Sequence, residues 1–139
     1  MTTGPRSRPR AEVTDLVDVS SDSSKRHKNM YLPGSIIKVE VKNFMTYAEC
    51  TIEPGPTLNL VLGPNGTGKS SFVCALCVGL AGSTKLLGRA DDVGSYIRRG
   101  KDKGQVEVTL AREGGGRMTV KRAIKRDLEG KVASDFWID

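Results

Sequence analysis

No apolar run in this chain of 139 residues approaches the roughly twenty residues that a membrane-spanning helix requires, and no hydrophobic stretch of signal-peptide type opens it. No membrane partner is expected on that basis. Cysteine is scarce, at three, and the odd number argues for reduced thiols in a reducing compartment rather than a disulfide framework. Metal ligands are scarce too. Cys74 and Cys77 have the spacing of a zinc half-site, but only Cys50 and His27 are on offer to complete the four ligands that zinc takes. Both cysteines fall inside an expected helix, so buried helix residues are the better reading. Internal repeats are absent, and the length has room for one domain. The net charge of +6 and pI near 9.4 are compatible with nucleic-acid contact but ordinary for a globular domain.

What is present divides at about residue 33. Residues 1–33 mix serine, proline and charge with no apolar periodicity long enough to bury a face, and are expected to form a disordered polar tail. Arg6-Ser7-Arg8-Pro9-Arg10 and Lys25-Arg26-His27-Lys28 read equally as nuclear-localisation signals or as solvated tail. Asp15-Leu16-Val17-Asp18-Val19, followed by serines, has the make-up of a segment that adds as an edge strand to a partner, as SUMO-interaction segments do. A plain Ser/Asp stretch open to phosphorylation is the better reading there.

From residue 34 the pattern is that of an ordered domain. Residues 35–44 read as a strand with Ile37, Val39 and Val41 on one face and Lys38, Glu40 and Lys42 on the other. Residues 47–53 continue as a second strand, and Pro54-Gly55-Pro56 turns the chain into a short buried strand at 58–62. Next comes Gly63-Pro64-Asn65-Gly66-Thr67-Gly68-Lys69-Ser70, a complete G-x-x-x-x-G-K-[ST] phosphate loop. Its glycines allow backbone amides to turn inward around an anion, and a helix expected over 69–81 points its N-terminal dipole at the same place. Lys69 is the residue type that reaches β- and γ-phosphates, and the Ser70 hydroxyl is placed to ligate Mg²⁺. Together with Ser71, residues 63–71 are the candidate ATP and Mg²⁺ site. Gly79, Gly82 and Gly88 break regularity, a short helix is expected over 90–97, and 105–113 with 117–126 reads as a hairpin around Gly114-Gly115-Gly116. Residues 134–139 read as one more strand.

Two antiparallel-type strands before the loop and a hairpin after its helix suit the head of an ABC-type ATPase: an α/β phosphate-loop NTPase with an antiparallel β subdomain. Beyond the loop there is no aliphatic run ending in aspartate, no following glutamate and no Ser-Gly-Gly signature, and the only glutamine is Gln105 at the start of the hairpin. Phosphoryl transfer needs charge stabilised from several sides, so the chain is not expected to hydrolyse ATP alone.

Residues 36–43 followed by Phe44-Met45-Thr46-Tyr47, then Leu58 through Ser71, resemble the N-terminal head segment of structural maintenance of chromosomes (SMC) proteins. Val73-Cys74-Ala75, Gly79-Leu80-Ala81-Gly82, Gly88-Arg89-Ala90-Asp91 and Phe136-Trp137-Ile138 are similar to the fifth-type branch of that family. The resemblance covers residues 34–139 and implies the N-terminal half of a head split between the two ends of a long coiled-coil chain, hence a fragment. It implies as partners the C-terminal half of the same head, a second head of the sixth type, non-SMC subunits and DNA held through its backbone. It implies a nuclear, chromosomal protein of recombination repair, and places Arg89 as the arginine that couples DNA to hydrolysis. Arg98-Arg99-Gly100-Lys101-Asp102-Lys103 and the row Arg117, Lys121, Lys125 are candidate phosphate contacts on that reading, with a solvated surface as the other. A non-catalytic fragment that occupies a partner head is the alternative function. A transporter nucleotide-binding domain fits less well, because the 43–47 segment resembles DNA-repair heads.

Overall fold

A computed structural model describes residues 12–15, 30–88 and 92–139. The clusters at 6–10 and 25–28, the aliphatic-acidic segment after Asp15, His27 and Arg89 lie outside the described residues.

β2 (Ile36–Phe44) and β3 (Tyr47–Ile52) form one hairpin, β5 (Lys103–Ala111) and β6 (Arg117–Arg126) a second, and β7 (Val132–Ile138) follows. They make a five-stranded sheet in the order β3-β2-β5-β6-β7, every neighbouring pair antiparallel. This is the antiparallel subdomain that the order of motifs implied. The alternation in the sequence decides its two faces. Val39 and Val41 of β2, Val106 and Val108 of β5 and Ile124 of β6 are buried against the one helix of the described residues that exceeds a single turn, α1 (Lys69–Gly79). The other face carries ion pairs of Lys38 with Glu40 at 3.1 Å, Lys42 with Glu49 at 3.4 Å and Lys121 with Glu107 at 3.9 Å. Such exposed pairs contribute at most about 1 kcal/mol each.

α1 lies across β2, β5 and β6 with Cys74, Ala75 and Val78 in the core. Gly79 does not break the helix, as its sequence position suggested, but ends it at the point of closest approach. A Cβ there would stand 2.7 Å from Val106 Cγ1 and 3.0 Å from Val108 Cγ2. Arg122, on the core side of β6, donates to the Val78 carbonyl at 3.0 Å and to Ser134 Oγ at 2.7 Å, and its guanidinium lies 4.5 Å from the centre of the Phe136 ring. Burial lowers its pKa from the ordinary arginine value, and a guanidinium remains charged at neutral pH.

Two expectations change. Of the helix expected over 90–97, the described residues 92–97 hold a single 3₁₀ turn, Val93–Tyr96, capped by the Asp92 side chain on the Gly94 N–H at 3.1 Å. The loop strand is β4 (Asn59–Leu62), and it is not buried: Leu60 is 37% and Leu62 58% exposed, as is Leu58 before it at 67%. Among the described residues its only strand partner is β1 (Glu12–Asp15), antiparallel, and only Asn59 and Val61 are half-buried. β1 lies within the stretch expected to be a disordered tail; the unpaired edge of β4 offers backbone donors and acceptors, and this segment answers them. The row Arg117, Lys121, Lys125 lies on the outer face of β6, where Lys121 is 3.9 Å from Glu107 and Lys125 is opposite Lys103.

The close approach at Gly79 is testable. Gly79→Leu is expected to lower the unfolding free energy by about 1–3 kcal/mol, read from urea denaturation; an unchanged midpoint would mean that the helix does not lie this near β5.

Candidate nucleotide-binding site

β4 delivers the chain into a loop whose backbone departs from anything a row of L-residues adopts easily. Gly66 and Gly68 have φ of 87° and 109°. At Gly68 a Cβ would also meet Tyr47 Oη at 2.8 Å and Thr46 Oγ1 at 3.0 Å, so both conformation and space demand glycine. Gly68 caps α1 without any side-chain hydrogen bond, and no acidic residue sits in the first turn. The helix therefore presents its first N–H groups and the positive end of its dipole to whatever enters the loop. An anion fits this cradle, and phosphate is the anion that such loops take.

Lys69 reaches back across the loop, its Nζ donating to the Gly63 carbonyl and, at 2.9 Å, to that of Pro64. Thr67 Oγ1 donates to the same Pro64 carbonyl at 2.9 Å. Ser70 is exposed beside the helix start and Ser71 is buried. Asn65 and Pro64 are exposed at the rim. Residues 63–71 form one loop running into the first turn of α1. Among the described residues no three His, Cys, Asp or Glu side chains gather to hold a metal.

Sequence reading used Thr46 and Tyr47 only as marks of family and missed what they touch. The turn between β2 and β3 places Tyr47 Oη 2.9 Å from the Gly68 carbonyl, to which it donates, and Thr46 Oγ1 3.1 Å from Ser71 Oγ. Asn43, at φ 47°, rotates the end of β2 so that Phe44 turns into the core, where its ring stacks on Tyr96 at 5.9 Å. No periodicity rule foresees that reversal. The basic turn after Tyr96 is at this same end of the sheet: the Arg98 N–H donates to the Asn43 carbonyl at 2.8 Å, Arg99 and Lys101 are exposed, and Lys103 faces Lys125. A separate groove of about 390 Å³ is lined by Phe72 and Leu76 of α1, Val61 of β4 and Ile52 of β3 among others, and contains none of the loop residues.

A phosphate loop between a strand and a helix, with an antiparallel sheet folded on that helix, defines an ABC-type ATPase fold. Residues 38–136 match the AAA domain model, and the chain belongs to that family. Within it, the similarity runs to SMC proteins. The chain is 52% identical over 85 residues to structural maintenance of chromosomes protein 5 of Arabidopsis thaliana, covering 61% of this chain and 8% of that protein. It is 42% identical over 109 residues to protein 5 of Schizosaccharomyces pombe, covering 75% and 10%. Protein 6B of A. thaliana is more distant, 30% identical over 112 residues, covering 74% and 11%. The chain thus spans about a tenth of the length of these relatives. A solved structure described under "structural biochemistry of ATP-driven dimerization and DNA stimulated activation of SMC ATPases" shares the fold with a TM-score of 0.64 at 23% identity, over 75% of this chain and 69% of that one. The resemblance to the SMC family, nearer the fifth type than the sixth, is borne out.

The Tyr47 phenol is pushed above its usual value of 10.0, first by burial and second by the neighbouring Cys50 thiol. A group whose pKa is higher in the folded state stabilises fully below its unfolded pKa and ceases to as pH rises through the folded one. Stability from Tyr47 is therefore expected to hold through neutral pH and to fall only above pH 10.0. Ultraviolet titration should show a tyrosinate step above that value which Tyr47→Phe removes.

Proposed function

We propose that this chain is the ATP-binding N-terminal segment of an SMC-type head, with residues 34–139 as the half-head and residues 1–33 as a polar tail. The observation that carries this reading is the uncapped N-terminus of α1 opening into a glycine loop crossed by the Lys69 ammonium. Backbone N–H groups of the loop and of the first helical turn would bind the phosphates, Lys69 would exchange its carbonyl partners for phosphate oxygens, and Ser70 would ligate Mg²⁺. The metal supplies charge neutralisation on the phosphates. The sequence has no aliphatic run ending in aspartate, no following glutamate and no Ser-Gly-Gly signature after the loop, so the chain would hold ATP without hydrolysing it alone.

The apolar side chains left in water support the rest of the assembly. Leu60 and Leu62 of the loop strand and Leu58 before it, with Val73 of α1 and Leu80 at its C-cap, are all exposed, and apolar surface of this kind calls for a covering layer. The C-terminal half of the head would supply that layer, and a second head of the sixth type would close over the nucleotide, with non-SMC subunits bound to the pair. DNA would lie against the basic end of the sheet, at Arg99, Lys101, Lys103 and Lys125, through sequence-independent phosphate contacts, with Arg89 as the coupling residue. That assembly would act on chromosomes in the nucleus, in repair by homologous recombination.

The 139-residue chain is expected to bind Mg-ATP and to turn it over only when mixed with a C-terminal SMC half-head. Lys69→Ala should weaken binding at least about tenfold, as loss of a charged hydrogen-bond donor predicts. Calorimetry checks the first point and phosphate release the second. A folded chain that ignores ATP in both states would sink the reading.

A further inference from the structure

The turn between β2 and β3 is held in a conformation that its residues do not choose. Asn43 and Met45 both have φ of 47°, in the left-handed region that side chains with a Cβ disfavour. The surroundings impose it: Met45 N–H donates to the Tyr96 carbonyl and Arg98 N–H to the Asn43 carbonyl, each at 2.8 Å. Backbone strain that is over-determined in this way gathers at sites that clamp a ligand or a loop. What this turn projects are the side chains of Thr46 and Tyr47, and what they reach is the phosphate loop.

We propose that Tyr47 and Thr46 are positioning residues for phosphate binding, holding the Gly68–Lys69 peptide and the Ser71 hydroxyl in the orientation that receives the nucleotide. The proposal rests on the nucleotide-binding reading and deepens it. The Gly68 carbonyl accepts two hydrogen bonds, from Tyr47 Oη at 2.9 Å and from the Phe72 N–H at 3.0 Å. A peptide is planar, so fixing that oxygen fixes the Lys69 N–H on its far side. This N–H is one of the orphan donors of the first helical turn, which point out of the helix and into the loop. Thr46 acts on the other contact. Its Oγ1 donates to Ser71 Oγ at 3.1 Å, so the buried Ser71 hydroxyl already has an incoming proton and its own is left to donate. The fit leaves no slack, since even a methyl group at Gly68 would collide with both side chains.

The test uses the full 139-residue chain as wild type, Tyr47→Phe, Thr46→Val and Lys69→Ala. Tyr47→Phe keeps the ring and removes only the donor. It is expected to weaken Mg-ATP binding about fivefold, the loss of one hydrogen bond, while AMP, which lacks the outer phosphates, loses less. It is also expected to speed amide hydrogen exchange across residues 63–71 without nucleotide, with the melting temperature close to that of wild type. Thr46→Val should move the same readouts in the same direction. A variant that melts lower but keeps the ATP-to-AMP preference of wild type would reduce Tyr47 to packing and overturn the proposal, as would loop exchange at the wild-type rate. If wild type binds no ATP, or if Lys69→Ala binds as well as wild type, the nucleotide reading fails instead. The exchange measurement then still decides whether Tyr47 holds the loop.

Discussion

The arrangement depends on one helix lying flat on one sheet. α1 is short, and a helix of its length has little stability of its own in water. It persists because Cys74, Ala75 and Val78 are buried against Val39, Val41, Val106 and Val108, and because Gly79 lets its last turn come within van der Waals reach of β5. Arg122 secures the same end by donating to the Val78 carbonyl, where the helix dipole favours a cation. With the C-terminal end held, the N-terminal end has a defined place, and the proposed phosphate site is that end together with its loop.

The sheet serves the site in a second way. Its β2–β3 turn meets the loop, and its basic turn emerges beside that same β2 end through the pairing of Phe44 with Ile97. Nucleotide and polyanion would therefore meet this domain at neighbouring positions, although the residues concerned are far apart in the chain. The rest of the outer face is close to neutral where it is paired, Lys38 with Glu40, Lys42 with Glu49 and Lys121 with Glu107. Positive charge is left where the strands end rather than along their length.

Much of this was legible before any coordinates. The phosphate loop needs glycine, lysine and serine at fixed spacing for reasons of backbone geometry and phosphate chemistry, so residues 63–71 announce themselves. The two hairpins are legible as well, since period-two alternation and a run of glycines are local properties. The burial of β4 was misjudged because an apolar strand states a preference for a neighbour without saying whether one is present; Leu60 and Leu62 remain exposed with β1 as the only strand beside them among the described residues. The 3₁₀ turn at Val93–Tyr96 was read as a helix because small and apolar residues there satisfy both. The pairing of Lys121 with Glu107 could not be read from the chain because the two belong to different strands.

Local chemistry in the sequence thus specified the loop, the strands and the sidedness of the sheet, each a matter of residues adjacent or nearly so. Tertiary structure alone decided that Tyr47 donates to Gly68 and Thr46 to Ser71, that Arg122 faces the core with the end of α1, and that Phe44 turns inward behind a left-handed Asn43. These contacts join residues 21, 25 and 44 positions apart. Hydrogen bonds act over about 3 Å, so which distant groups come that close is set by how the helix and sheet pack and not by any pattern along the chain.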